Sequence, residues 1–152
     1  MSLRNDYIRI RLRTEQICKP LHTEDYVVQP VADVSPPKWH IGHTTWFFET
    51  FLLKEYVKDY KEFDPAFSYV FNSYYETIGT RVIRTDRGNL SRPTVDDVYQ
   101  YRQHVDHAMI HFLAEEISAD IKEVILLGLN HEEQHQELLC TDIKYILGHN
   151  PL

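Results

Sequence analysis

His131-Glu132-Glu133-Gln134-His135 sets two imidazoles four residues apart in the middle of the last long apolar-periodic segment. On a helix that spacing stacks both rings on one face, one turn apart, where they can share a metal ion. Projected at about 100° per residue, Val124, Leu127, Gly128, His135, Leu138, Asp142 and Tyr145 fall within about 60° of His131. The pair therefore points to the apolar side, while Glu133 and Glu137 project into water. Inward histidines are equally compatible with neutral, hydrogen-bonded core residues. A third ligand separates the two readings.

The same five residues match the H-E-x-x-H pattern of zinc proteases, with Glu132 as general base. The extended protease pattern fails, because Leu138 and Thr141 stand where glycine and histidine are required and little chain follows to supply another ligand.

The elements that position these residues are helical. Leu3, Tyr7, Ile10, Thr14 and Ile17 recur at steps of three and four, which predicts a helix over residues 3–17 ending before Pro20. The alternation of Ile8, Ile10 and Leu12 also suits a strand, but no partner strand is visible nearby. Thr23 to Tyr26 forms a short turn in the connector. Ser35-Pro36-Pro37 reads as a helix start with Ser35 as the capping side chain. The helix it opens is expected to reach about Val57, with Trp39, His43, Trp46, Thr50, Leu53 and Val57 as its core stripe. His43 lies in that stripe between two tryptophans, and His40 falls at its border.

Asp64-Pro65 opens a shorter pattern with Phe67, Phe71, Tyr74 and Ile78, ended by Gly79. Residues 79–93 form a loop carrying Arg81, Arg84, Arg87 and Arg92, either a solvated basic loop or a functional one. Thr94 with Asp97 makes a capping-box start for a helix to about Ile117, with Val98, Tyr101, Val105, Met109 and Phe112 inward. His107 and His111 are also four apart, yet project toward solvent or a flank. Asp120 with Glu123 starts the last helix, which runs to about Leu147. The short connection makes the last two helices antiparallel neighbours.

Four long helices, one short helix and no credible sheet predict an all-α up-down four-helix bundle with a crossover connection. His43, His131 and His135 are the only histidines at the centres of apolar stripes. Bundle metal sites are built from inward side chains on facing helices. Neutral imidazoles suit Zn, Fe, Ni or Cu, and three of them leave positions open for water and substrate. Because a metal needs deprotonated rings, occupancy is expected to fall as pH drops below about 6.5.

At 152 residues the chain is one domain, 1–152, by size. Cys18 and Cys140 lie in separate helical patterns with no paired spacing, which suits a reducing cytoplasm. No stretch approaches the roughly 18 apolar residues of a membrane span. A formal net charge of −7, with basic residues not massed on one helix, argues against a nucleic-acid partner.

Four motifs then carry a resemblance that spans nearly the whole chain in order. They are Lys38-Trp39-His40-Ile41-Gly42-His43-Thr44-Thr45-Trp46-Phe47-Phe48-Glu49, Phe71-Asn72-Ser73-Tyr74-Tyr75-Glu76, Arg87-Gly88-Asn89-Leu90-Ser91-Arg92-Pro93-Thr94, and the run from His131 to Leu139. Together they resemble the N-terminal DinB-like domain of ergothioneine-biosynthesis sulfoxide synthases. The resemblance implies a helical bundle whose His43, His131 and His135 hold a non-haem Fe(II). It implies O2-dependent joining of a cysteine-containing thiol to trimethylhistidine as a sulfoxide. It places Gln134 beside the histidine-derived substrate and Arg84 and Arg87 on carboxylates of the thiol.

That family continues into a formylglycine-generating-enzyme-like second domain, absent from these residues, which supplies the other wall of the site and the catalytic tyrosine. The single bundle is therefore expected to expose an open groove edged by Trp46, Tyr74 and Tyr75 and to lack sulfoxide-forming activity alone. Two other classes fit the same histidines: a stand-alone DinB-like thiol transferase using Zn or Ni, and a non-catalytic bundle with a surface for a partner.

Overall fold

The computed structural model describes residues 2–73 and 79–152, and all regular elements among them are helical. Helix α1 (Leu3–Cys18) starts where the Ser2 side chain accepts from the Asn5 N–H. It buries Tyr7, Ile10, Thr14 and Cys18, and also Arg11. The helical reading of this segment holds over the strand reading, with Leu12 left half exposed. A 3-10 turn (Thr23–Val27) leads to α2 (Pro37–Phe48), which continues through a π-helical turn (Glu49–Leu53) and a last turn (Lys54–Tyr56).

The expected one-sided stripe of α2 is corrected by its burial, since every residue from Pro37 to Phe48 is buried. Packing explains this: α3 (Pro65–Phe71), α4 (Val95–Phe112), α5 (Ala119–Gly148) and the 3-10 turn all lie against α2. Ser35 is not its cap. Pro36 occupies that position, and the Ser35 N–H instead donates to Asp142 at 2.9 Å. Among the buried polar groups on α2, Lys38 Nζ donates to the Leu90 and Pro93 carbonyls at 2.5 and 2.8 Å, fastening the crossover loop to the helix.

Helix α3 stops at Phe71, earlier than expected, where Asn72 turns to an extended backbone. The Phe71 carbonyl accepts from the His43 ring at 2.7 Å, a bond that anchors the helix end to α2. The continuation through Tyr74 to Ile78 lies outside the described residues. Gly79 has φ +120°, a conformation suited to a residue without Cβ. Within the following loop, Arg84–Asn89 forms a 3-10 turn.

The Thr94–Asp97 capping box is present at the start of α4. That helix ends at Phe112 rather than Ile117, and Ser118, not Asp120, caps α5 by accepting from Ile121.

Side-chain pairs fix the helix directions. Arg9 meets Glu133 and Gln136 reaches the Ile10 carbonyl, so α1 and α5 are parallel. Tyr7 meets Asp106 and Glu15 meets Arg102, so α1 and α4 are antiparallel. Helices α4 and α5 are joined by residues 113–118, but they are not the close neighbours expected. Both pack on α2, and they reach one another through long side chains, Arg102 to Glu132 at 2.7 Å. The bundle is all-α with a crossover between α2 and α4. No helix among the described residues is long and apolar enough to cross a membrane.

Two close approaches depend on glycine. A Cβ on Gly42 would sit 2.2 Å from the Phe71 ring, and one on Gly128 would sit 2.8 Å from the rings of Phe47 and Phe48. In an open helix Gly→Ala stabilises by about 1 kcal/mol. At Gly42 the clash reverses the sign. We expect Gly42→Ala to lower stability by about 1–3 kcal/mol, read as a fall in the urea midpoint. A raised midpoint would show that Phe71 moves aside without cost.

Candidate metal centre

Helix α2 contributes His43, and α5 contributes His131 and His135 one turn apart. Their ring centroids form a near-equilateral triangle with sides of 4.9, 4.8 and 4.7 Å. One nitrogen from each ring lies within 4.8 Å of the others. Nitrogens sharing one tetrahedral ion sit about 3.4 Å apart, so small side-chain rotations would close the set. Three imidazoles with no carboxylate among them form a neutral donor set that fits a borderline divalent ion.

The protein orients His43 from outside. Its Nδ1 lies 2.7 Å from the Phe71 carbonyl, which only accepts, so Nδ1 carries the proton. Nε2 then has its lone pair toward the triangle, with the Ser73 hydroxyl 3.2 Å away. Trp39 stacks on this ring at 4.5 Å and 15°, and Trp46 stacks on it at 5.7 Å and 15°. Trp46 is fully buried, so it is not the exposed groove residue expected, and Tyr74 and Tyr75 lie outside the described residues.

Beside the triangle is a cavity of about 390 Å³ lined in part by Ser35, Trp39, His40, Ser73, His135 and Asp142. Arg81, Arg84 and Arg87 also line it. Arg87 is buried, its guanidinium 3.3 Å from the centre of the Trp39 ring, with one nitrogen donating to Ser35 at 2.9 Å. Its Nε has no hydrogen-bond partner among the described residues. Burial, with Arg84 and Arg81 alongside, lowers Arg87 to about 9. It is still cationic at neutral pH. Arg84 is exposed and donates to the Asp33 carbonyl, and Arg81 donates to the Ser73 carbonyl at 3.0 Å.

Gln134 is exposed and does not line this cavity. Glu132 is fully buried on another face of α5, held by Arg11, Arg102 and Thr14. It has no role as a base beside the triad, which removes the protease reading. His107 and His111 are exposed, as their projection requires.

Two residues were missed as parts of the site. His40 is buried, its Nδ1 2.9 Å from His135 Nδ1 and its Nε2 2.8 Å from Asp142. The usable signal was Asp142 on the inward face of its helix, an acidic group that must find a partner when buried.

Burial lowers the pKa of all four rings. His43 is well below its ordinary value through burial and the neighbouring His131, and His135 is lowered by burial and by His43, His40 and His131. His40 is lowered despite Asp142, and His131 falls to about 4. All four are therefore neutral at pH 7, the state a metal requires.

In the unfolded chain these rings titrate near 6.5. Below about 6.5 the unfolded state takes up protons that the folded state does not, down to about 4 for His131, so stability falls as pH falls. Each ring that stays neutral contributes up to about 1.4 kcal/mol per pH unit. We expect the urea midpoint of the metal-free chain to drop steadily from pH 6.5 to 5. A midpoint unchanged over that range would contradict the buried-neutral assignment.

Residues 7–139 match the family model described as the DinB superfamily. No curated protein matches the chain.

Proposed function

The chain belongs to the DinB superfamily, whose domains in general bind divalent metals, and we propose that it is the metal-binding bundle of a non-haem iron sulfoxide synthase of ergothioneine biosynthesis. The observation that carries this reading is the juxtaposition of three neutral imidazoles with a cavity walled by three arginines. His43, His131 and His135 would hold the ion. Fe(II) held by these three imidazoles would supply the redox chemistry of C–S bond formation.

The remaining work falls to the chain itself. Arg87 is a buried cation that ordinarily requires a pairing anion, and Arg84 and Arg81 raise the positive potential of the same wall. A carboxylate of the thiol co-substrate meets that requirement, because guanidinium forks pair carboxylates in a fixed geometry. Trp39 lies against both the Arg87 guanidinium, 3.3 Å from its ring centre, and His43, stacked at 4.5 Å, so one rigid indole holds the anion-pairing cation beside the ligand ring. Gln134, exposed one position before His135, is free to meet trimethylhistidine on the solvent side of the helix. The other wall would come from a second, formylglycine-generating-enzyme-like domain.

Three imidazoles suit Zn or Ni as well as Fe, so a thiol transferase without redox chemistry is the second reading. Metal analysis after anaerobic loading, followed by O2 uptake with a cysteine-containing thiol and trimethylhistidine, separates them. Preferential Fe(II) retention with thiol-dependent O2 uptake, which does not require the single bundle to release a sulfoxide product, supports the synthase. Zn or Ni retention with thiol transfer and no O2 uptake supports the transferase. A chain that retains none of the three ions refutes both.

A further inference from the structure

We propose that Asp142 and His40 form a hydrogen-bonded relay that fixes the tautomer and aim of His135, which makes both of them positioning residues for the metal ligand. This rests on the reading that the triad holds a metal. It adds two residues, from α5 and α2, that lie outside the triad itself.

The argument follows the protons. An ionised carboxylate can only accept, so the contact of 2.8 Å between Asp142 Oδ2 and His40 Nε2 requires the proton on Nε2. The same oxygen accepts from the Ser35 N–H at 2.9 Å, so it is held from two sides. A neutral His40 protonated at Nε2 has its lone pair on Nδ1. That atom lies 2.9 Å from His135 Nδ1, which must then be the donor. With its proton on Nδ1, His135 keeps its lone pair on Nε2, the nitrogen left to share an ion with His43 and His131. Each link leaves the next one choice.

Burial gives the relay its force. His40 and Asp142 are 3 % and 8 % exposed, so water cannot readily replace a lost partner. The construction also spans the two helices of the triad: His40 stands three residues before His43 on α2, and Asp142 seven after His135 on α5. The bond between His40 and Asp142 therefore also ties the ligand-bearing helices together. Outer hydrogen bonds of this kind typically change metal affinity by about 10–100-fold.

The first test reads the protons directly. In the metal-free protein labelled with 15N, long-range proton–nitrogen correlation spectra should show His135 protonated at Nδ1 and His40 at Nε2. Finding His135 protonated at Nε2 would overturn the relay, whether or not any metal binds. The second test is Zn(II) affinity by competition with a chromophoric chelator, with folding checked by circular dichroism. Asp142→Leu and His40→Phe should each weaken binding by about 10–100-fold, and the double variant should be little worse than either single one. Asp142→Asn keeps an acceptor in place and should retain most of the affinity, a rescue that lost packing alone would not produce. Equal losses in Asp142→Asn and Asp142→Leu, or none in either, would overturn the proposal. A wild-type chain that binds no Zn(II), Ni(II) or Fe(II) removes the metal reading instead, and the tautomer measurement still decides the relay. If Asp142→Leu does not fold, that measurement on the wild-type chain is decisive by itself.

Discussion

Glu132→Ala is expected to destabilise the chain by about 3–5 kcal/mol, with a fall in Tm on the order of 10 °C. Glu132 has no exposed surface, and each of its oxygens is engaged. Oε2 accepts from Arg11 at 2.8 Å, while Oε1 accepts from Arg102 at 2.7 Å and from Thr14 at 2.6 Å. Arg11 is further held by Asp106 at 2.6 Å and Thr45 at 3.0 Å, and Arg102 by the Arg11 carbonyl at 2.7 Å. One carboxylate thus joins α1, α4 and α5 at the centre of the bundle, and Arg11 extends the network to Thr45 on α2. Removing it leaves two buried guanidinium groups without their shared anion, and the desolvation they have already undergone is no longer offset.

Burial alone would push the Glu132 carboxyl up, but Arg102, Arg11 and the hydrogen bonds hold it down at about 2. Its contribution is therefore complete above the unfolded value of about 4.3 and is lost as pH falls toward 2. Chemical denaturation of Glu132→Ala at pH 7 checks the main effect. A loss below 1 kcal/mol would mean that water or a neighbouring acid replaces the carboxylate.

This cluster also shows what a single sequence conceals. Nothing in the sequence marks Arg11, Arg102 and Glu132 as a buried cluster, because a buried charge uses the same letters as a surface one and its partners lie 30 to 121 residues away. Projection onto one stripe per helix fails where a helix faces two neighbours. Helix α5 turns His131 and His135 toward α2 and Glu132 toward α1, and α2 is enclosed on every side. The triad was legible for the opposite reason. Histidines in the centre of an apolar stripe are rare enough to be noticed, and His43, His131 and His135 needed only local periodicity to be selected. Helix starts were legible where a cap is local, as with Thr94 and Asp97. Ends were not: Phe71 closes α3 by a bond to a ring 28 residues away. The arginines of the crossover loop were visible as a group, but only packing separates buried Arg87 from exposed Arg84.

Metal binding should produce the other large effect. At a free metal concentration about 100 times Kd, the folded state gains about 2.7 kcal/mol, a rise in Tm of roughly 5–10 °C. Each of His43→Ala, His131→Ala and His135→Ala should abolish that rise, because each leaves two rings and loses more than the 10–100-fold typical of an outer hydrogen bond. His43→Ala is the most informative of the three. It leaves His131 and His135 as an i,i+4 pair on one helix and so asks whether α2 is needed for binding. The pH response should also differ from that of free imidazole. His131 is already lowered to about 4 by burial, and His43 and His135 are lowered too, so protons compete poorly for the folded site. Affinity measured on the folded chain is therefore expected to change little between pH 7 and pH 5, rather than falling from 6.5 as isolated rings would. Over the same interval the metal-free and loaded chains lose stability in parallel, because both folded forms carry neutral rings and share one unfolded state, so the Tm difference between them should stay nearly constant as pH falls. Equilibrium dialysis paired with thermal melts at pH 7, 6 and 5 measures both quantities. A binding curve that declines with a midpoint near 6.5 would show that the rings titrate as solvated groups and that the buried triad does not hold the ion.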